Sequence, residues 1–258
     1  MNKSHNTLIR LFTFASAVGL AAAAHATVLD LGSSGSGSLN GALFSTTDIQ
    51  PTGTGVFNPF LSIQNSPWEQ GYNSSTGNFD TKREPQWNHE IRLSDLQTTT
   101  INGMNYFGFV VDVNEPGGSK ATISLNDLRL YVSPTTQTSQ SVNSSGFFNG
   151  SLGTLVYSLG SGNSVDYTDA QHGSGSGDIN IFIPASNFAG FNSNDYVYMF
   201  QRWGNADASQ GGFEETAIRQ GIAPVPEVAS FYPVIGLIAA VVSTHVLRRK
   251  KQNGSDLA

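Results

Sequence analysis

The segment from 228 to 247 constrains this chain more than any other, because its twenty residues include no Asp, Glu, Lys or Arg. An α-helix rises about 1.5 Å per residue, so this segment spans roughly 30 Å as a helix, the thickness of a bilayer core. Four cations follow it directly: Arg248, Arg249, Lys250 and Lys251. Because basic residues beside a membrane helix stay in the cytoplasm, the sequence predicts a C-terminal anchor with the upstream chain outside.

A Pro-Glu element, Pro226-Glu227-Val228, stands at the outer edge of this segment. The order of Pro-Glu element, apolar helix and basic cluster resembles the bacterial PEP-CTERM sorting tail, in a variant with valine in place of the second proline. The resemblance covers residues 224–258. It implies that an exosortase-like membrane enzyme cuts near Pro226 and sorts the upstream domain, commonly in bacteria that make exopolysaccharide and biofilm. The alternative is a plain single-pass anchor that is never cut.

The first 26 residues are typical of a secretory signal peptide. Lys3 and Arg10 supply positive charge, an apolar stretch follows over 11–24, and Ala24-His25-Ala26 forms a small-x-small cleavage site. The apolar stretch is about 14 residues long, which is short for a membrane span. We therefore expect signal peptidase to cut before Thr27, leaving an ectodomain over 27–223 with its N-terminus outside.

The ectodomain is acidic and lacks cysteine. Between Thr27 and Pro226 the chain has seven Lys or Arg against seventeen Asp or Glu, a balance of 7 minus 17, about −10. Such a surface repels nucleic-acid phosphates, so nucleic acid is not an expected partner. The absence of cysteine from the chain excludes disulfides, thiolate nucleophiles and Cys-ligated zinc. The fold must therefore be held together by its core, and this length suffices for one domain.

The pattern of apolar residues indicates β structure. In Met104–Val113, Phe107, Phe109, Val111 and Val113 share one face and the other face is also largely apolar, which predicts a central strand. Gly/Ser runs such as 32–38 read as loops. Further predicted strands are Thr27–Leu31, Val56–Ile63, His89–Leu93, Ala121–Leu125, Leu128–Val132, Thr154–Leu159, Ile179–Ile183 and Asp195–Arg202. The sequence thus predicts an all-β ectodomain, a single sandwich of jelly-roll-like type.

The sequence shows no complete catalytic motif. His89-Glu90 starts like a zinc-protease helix, but Leu93 stands where the second histidine is needed, and no G-x-S-x-G elbow occurs. A glycosidase needs two carboxyl groups facing one bond in a cleft. Several acids are candidates and the sequence does not pair them: Glu69, Glu84, Glu90, Asp112, Glu115, Glu214 and Glu215. We expect no catalytic residue.

Two binding hypotheses concern the ectodomain. Asp112, Asn114 and Glu115 cluster at a strand end and offer the hard oxygen ligands that calcium takes, so they predict a structural calcium site. Trp68, Tyr72 and Trp87 lie in a polar segment, where exposed rings would stack on the apolar face of a sugar. The alternative is that Trp68 and Trp87 cover the end of the core.

Taken together, these features predict an exported protein that is first anchored in the cytoplasmic membrane and then reaches the cell surface or the extracellular space. Its expected role is structural or matrix-associated, with extracellular polysaccharide as a candidate partner and no catalysis of its own. A carbohydrate-binding module of the same fold is the alternative, and a glycan-active enzyme is a further one. Apart from calcium, no cofactor is expected.

Overall fold

The computed structural model describes residues 26–47, 49, 57–116, 121–168, 177–204 and 207–220. The predicted sorting tail lies outside these residues, as does the predicted signal peptide except for Ala26. In the part of the chain that is described, no helix is long and apolar enough to cross a bilayer.

Strands dominate the described residues. The strands are β1 (Val28–Asp30), β2 (Ser36–Leu39), β3 (Ala42–Ser45), β4 (Pro59–Ile63), β5 (Glu69–Tyr72), β6 (Ile91–Arg92), β7 (Thr98–Ile101), β8 (Met104–Val113), β9 (Thr122–Ser133), β10 (Thr154–Ser158), β11 (Ser164–Thr168), β12 (Ile179–Pro184), β13 (Tyr196–Trp203) and β14 (Glu214–Ile218). A four-residue helix, α1 (Leu31–Ser34), and two 3₁₀ turns, Leu93–Asp95 and Ala185–Phe188, complete the described elements. The prediction of an all-β fold is confirmed.

The strands form two sheets of seven. Sheet I has the order β1-β11-β9-β13-β5, with β10 also paired to β9 and β6 to β13. Sheet II has the order β2-β3-β12-β8-β14-β4, with β7 also paired to β8. Strands β1 and β11 run parallel, and the other pairs within the described residues are antiparallel.

The main core lies between the two sheets. Strand β8 contributes Phe109, Val111 and Val113 from sheet II, and β13 contributes Val197 and Met199 from sheet I, each at most 1% exposed. β8 pairs with β12 on one side and with β7 and β14 on the other. The predicted central strand is therefore confirmed, together with the face that it turns to the core.

A second, smaller core covers the outer face of sheet I. It consists of six buried side chains: Tyr72, Tyr131, Phe148, Leu152, Tyr198 and Phe200. The segment 134–153 is fixed over this face by hydrogen bonds, since the Tyr72 hydroxyl donates to the Ser139 carbonyl (2.9 Å) and the Gln137 amide donates to the Tyr198 hydroxyl (2.9 Å). This part of sheet I is therefore buried on both faces.

The predicted strand pattern is incomplete, since β2, β3, β5, β7, β11 and β14 were not predicted, and two predicted segments are also wrong in detail. The predicted strands Ala121–Leu125 and Leu128–Val132 form one strand, β9, whose pairing with β13 shifts register between Asp127 and Leu125. The polar residues there mark a β-bulge, which interrupts the alternation without ending the strand. The run 32–38, predicted as a loop, contains most of α1 and the first part of β2, because the Asp30 carboxylate caps α1 by accepting from the Gly32 and Ser33 amides.

Candidate functional site

Two glutamates meet inside the sandwich, one from each sheet. Glu69 begins β5 and lies opposite Trp203 of β13, whereas Glu214 begins β14 and lies opposite Val113 of β8. Because Trp203 and Val113 belong to the main core, strand alternation turns both glutamate side chains inward. Both are 0% exposed. Each carboxyl group affects the pKa of the other, so the two lie near each other, and we call them the inter-sheet carboxylate pair.

The surroundings of this pair leave it short of hydrogen-bond donors. The Asn65 amide donates to Oε2 of Glu69 over 2.7 Å. Apart from the Glu69–Glu214 contact itself, Oε1 of Glu69 and both carboxyl oxygens of Glu214 are buried without a hydrogen-bond partner among the described residues. The Asn65 amide therefore donates to Glu69 alone, and neither carboxyl oxygen of Glu214 has a donor in that part of the chain.

Burial raises the pKa of both carboxyl groups. Burial raises the pKa of Glu69 to about 7, although the hydrogen bonds from Glu214 and the Asn65 amide act in the opposite direction. Burial, followed by the charge of Glu69, raises the pKa of Glu214 well above its usual range. In the absence of a cation the pair therefore holds at least one proton at neutral pH, because two ionised carboxylates in contact and out of water repel each other strongly.

Three connecting segments pack together beside the pair. In the segment before β5, the Asn65 carbonyl accepts from the Ser209 hydroxyl (2.9 Å), and in the segment before β14 the Gln210 amide donates to both carboxylate oxygens of Glu115 (3.1 and 2.9 Å). Gly212 must be glycine, since a Cβ there would lie 1.7 Å from the Asn114 carbonyl oxygen. This close approach holds the segments in place at the start of β14.

A hydrogen-bonded chain next to the pair also links the two sheets. The Trp203 indole donates to Gln201 Oε1 (3.1 Å), and Gln201 Nε2 donates to the Thr216 hydroxyl of β14 (2.9 Å). All three side chains are 0% exposed. The sandwich interior is thus polar where β5, β13 and β14 face each other.

A groove of about 650 Å³ lies elsewhere, on the outer face of sheet II between β2 and β7. Its lining combines hydroxyl, amide, apolar and cationic side chains: Ser36, Ser38, Leu43, Ser45, Thr47, Thr99, Ile101, Asn180, Phe182 and Arg219. Arg219 Nε donates to Asn180 Oδ1 (3.1 Å), and its guanidinium lies 5.3 Å from the centre of the Phe182 ring. The carboxylate pair does not line this groove.

The residues of the predicted calcium site lie close to each other but face different neighbours. Asp112 is 0% exposed, and its carboxylate accepts from the Asn114 side-chain amide over 3.4 Å. Glu115 instead accepts from the Gln210 amide and contributes negative charge at Glu69 and Glu214. Among the described residues, no group of three or more His, Asp or Glu side chains stands ready to hold a metal ion. A calcium site at these three residues stays a prediction.

The three aromatic residues singled out for sugar stacking are in different environments. Tyr72 is 0% exposed in the outer core of sheet I, so in this structure its ring offers no face to a ligand. Trp68 and Trp87 are partly exposed. Trp68 packs edge-on against Phe147 at 5.1 Å, and the Lys82 ammonium lies 5.4 Å from the Trp87 ring. Tyr72 therefore belongs to a core, whereas sugar stacking at Trp68 and Trp87 stays a prediction.

Sequence reasoning missed the parts of the site that depend on pairing between distant strands. Glu69 and Glu214 were among the candidate acids, but the chain gave no sign that they meet. Gln201, Thr216 and the groove residues Asn180 and Arg219 were not singled out at all. The one signal in the sequence was the acidic pair Glu214-Glu215, which follows Gly211-Gly212.

Comparison with known proteins gives no further assignment, because no protein-family model, curated protein or solved structure matches the chain.

Proposed function

We propose that this chain is an exported protein of the cell surface or extracellular space with a structural or matrix-associated role, and that its β-sandwich, of jelly-roll-like type, is a single ectodomain. One observation carries this proposal: the sandwich occupies the interval between the two targeting segments. β1 begins at Val28, directly after the proposed signal-peptide cleavage site, and β14 ends at Ile218, before Pro226. Among the described residues, the side chains of the two-sheet core all lie between Leu29 and Ile218.

The start of the fold supports cleavage before Thr27. The Thr27 nitrogen donates to Asn163 Oδ1 (2.9 Å), and its carbonyl accepts from the Ser164 amide (3.0 Å). An ammonium group at a new N-terminus retains the same donor, so removal of the preceding residues costs none of these contacts. Ala26 itself is exposed, as a processing site requires.

The burial of the carboxylate pair supports a binding or structural role for the sandwich more than catalysis. Its buried carboxyl pair has the residue types of a glycosidase, but both groups are 0% exposed and neither lines the groove. A glycan-active enzyme needs its two acids on either side of an accessible bond. We therefore propose that the ectodomain has no catalysis of its own.

The test is a single change in the proposed sorting element. An apolar helix anchors by itself and its orientation follows from Arg248 to Lys251, so Glu227 is not needed for insertion. In the native host, Glu227→Ala should leave insertion intact, with full-length protein accumulating in the cytoplasmic membrane and less ectodomain outside. Equal size and equal membrane fraction for both proteins would mean that the tail is a simple anchor.

Carbohydrate binding is the second candidate function, and the groove on sheet II favours it. Hydroxyl and amide side chains beside the apolar Leu43 and Phe182 match the mixed polar and apolar surface of a sugar chain. Ser38→Trp should block the groove from its exposed edge and abolish binding of the host polysaccharide, whereas Thr154→Trp, at an exposed position on sheet I, should not. Equal binding by both variants would place any polysaccharide site elsewhere.

A further inference from the structure

The inter-sheet carboxylate pair has more buried oxygen atoms than the donors of the described residues satisfy. Glu69 and Glu214 present four carboxyl oxygens, and the Asn65 amide donates to Oε2 of Glu69. Oε1 of Glu69 and both carboxyl oxygens of Glu214 are buried without a donor from the described part of the chain, and both side chains are 0% exposed.

Such atoms are unusual, because buried polar atoms in folded proteins nearly always have a partner. Glu69 and Glu214 turn inward from the two sheets and each affects the pKa of the other, so their unpartnered oxygens lie in one region of the interior. A ligand that contacts both carboxyl groups at once satisfies all of these oxygens.

The negative charge of neighbouring acids favours a positively charged ligand. Glu115 and Asp80 both add negative charge at Glu69, and Glu115 does so at Glu214 as well. The Asp80 carboxylate is itself half-buried and is held by the Gln70 amide (2.9 Å) and the Asn65 side chain (2.8 Å). The charges of Glu115 and Asp80 therefore add to a negative potential at the pair, which favours a cation.

We propose that Glu69 and Glu214 bind a calcium ion between the two sheets. Calcium takes six to eight oxygen ligands and accepts carboxylates in one- or two-oxygen contact, together with backbone carbonyls and water, so the two glutamates would supply up to four ligands and carbonyls or water the rest. Its two ligands differ from the three residues at which the sequence predicted calcium, Asp112, Asn114 and Glu115, of which Glu115 contributes charge here. It goes beyond the proposed function and does not depend on it.

The ion would join β5 of sheet I to β14 of sheet II at the point where three connecting segments meet. Calcium binding requires both carboxyl groups to lose their protons, so affinity should rise with pH through the range in which the pair titrates. Removal of the ion should return the pair to its protonated form and loosen the contact between the sheets.

The experiment is a thermal melt of the full chain, purified in mild detergent and stripped with EDTA. Calcium at about one hundred times its dissociation constant should raise the Tm of the wild type by about 5 to 10 °C. Glu214→Gln keeps the shape and removes the charge, and it should abolish the rise. Glu84→Gln, an identical change at an exposed position, should respond like the wild type.

A second measurement locates the ion without a variant at the pair. Terbium replaces calcium and emits when a nearby indole transfers its excitation, and Trp203 lies directly opposite Glu69. The wild type should show terbium emission that calcium displaces. The proposal is overturned if calcium leaves the wild-type Tm unchanged and terbium gives no emission, which would leave a purely proton-sharing pair. An equal rise of Tm in Glu214→Gln would also overturn it, because calcium would then bind elsewhere.

Discussion

Glu214 is buried in the interior of the sandwich, and its contribution to the free energy of unfolding depends on its protonation. A carboxyl group whose pKa is higher in the folded state than in the unfolded chain binds its proton more tightly when folded. The stabilisation is therefore complete below the unfolded pKa and is lost as pH rises through the folded pKa. For Glu69 this window runs from its ordinary value of 4.5 to about 7.

The first prediction concerns this pH window. In EDTA, the free energy of unfolding of the full chain should fall by about 3 kcal/mol between pH 4.5 and pH 7.5, since a pKa that differs by one between the folded and unfolded states contributes about 1.4 kcal/mol. Glu214→Gln should flatten the profile, because a neutral amide cannot ionise and can donate to Glu69. Urea titrations at a series of pH values measure both curves. A profile of equal slope in the variant would show that other groups cause the pH dependence.

At the scale of single residues, the sequence identified the two acids of the candidate site but not that they lie near each other. Glu69 and Glu214 were recognisable as acids, but their meeting depends on the register of β5 against β13 and of β14 against β8. Burial of Tyr72 depends in the same way on the segment 134–153, which lies far away in the chain. No local pattern carries such information.

At the scale of elements, β8 provides the clearest test of the core. Val111→Asp places a charge at a position that is 0% exposed between two sheets. We expect it to cost about 4 kcal/mol or more of unfolding free energy, because a carboxylate buried among apolar side chains loses its hydration. Circular dichroism of the full chain during urea unfolding measures the change.

Met104→Asp is the matched control, since Met104 begins the same strand and is 59% exposed. This substitution should change stability by about 0.5 kcal/mol or less. If the two variants unfold at the same urea concentration, β8 does not have the central position that its pairing indicates.

The pattern of apolar and polar residues along each strand explains which strands could be predicted. The bounds of β8 are those predicted, because its apolar residues alternate and both of its faces are covered. β5 and β14 were missed, since Glu69 and Gly71 of β5 and Glu214 and Thr216 of β14 occupy the inward positions where apolar residues are expected. The polar interior that forms the candidate site is thus the feature that hides these strands.

At the scale of the whole molecule, the two cores account for a stable fold without disulfides. The main core joins sheets I and II, and the smaller core fixes 134–153 on the outer face of sheet I. The all-β class followed from composition and alternation, whereas the order of strands within each sheet did not. Strand order depends on contacts between residues distant in the chain, which a single sequence does not display.

Intact mass spectrometry tests most directly the proposal that this sandwich is exported and released between two processing sites. Protein recovered from cells and from medium of the native host should have a mature chain that begins at Thr27 and ends near Pro226. A chain that retains Met1 would contradict export through the signal peptide. A chain that begins at Thr27 but retains Ala258 in all fractions would contradict sorting and leave a plain anchor.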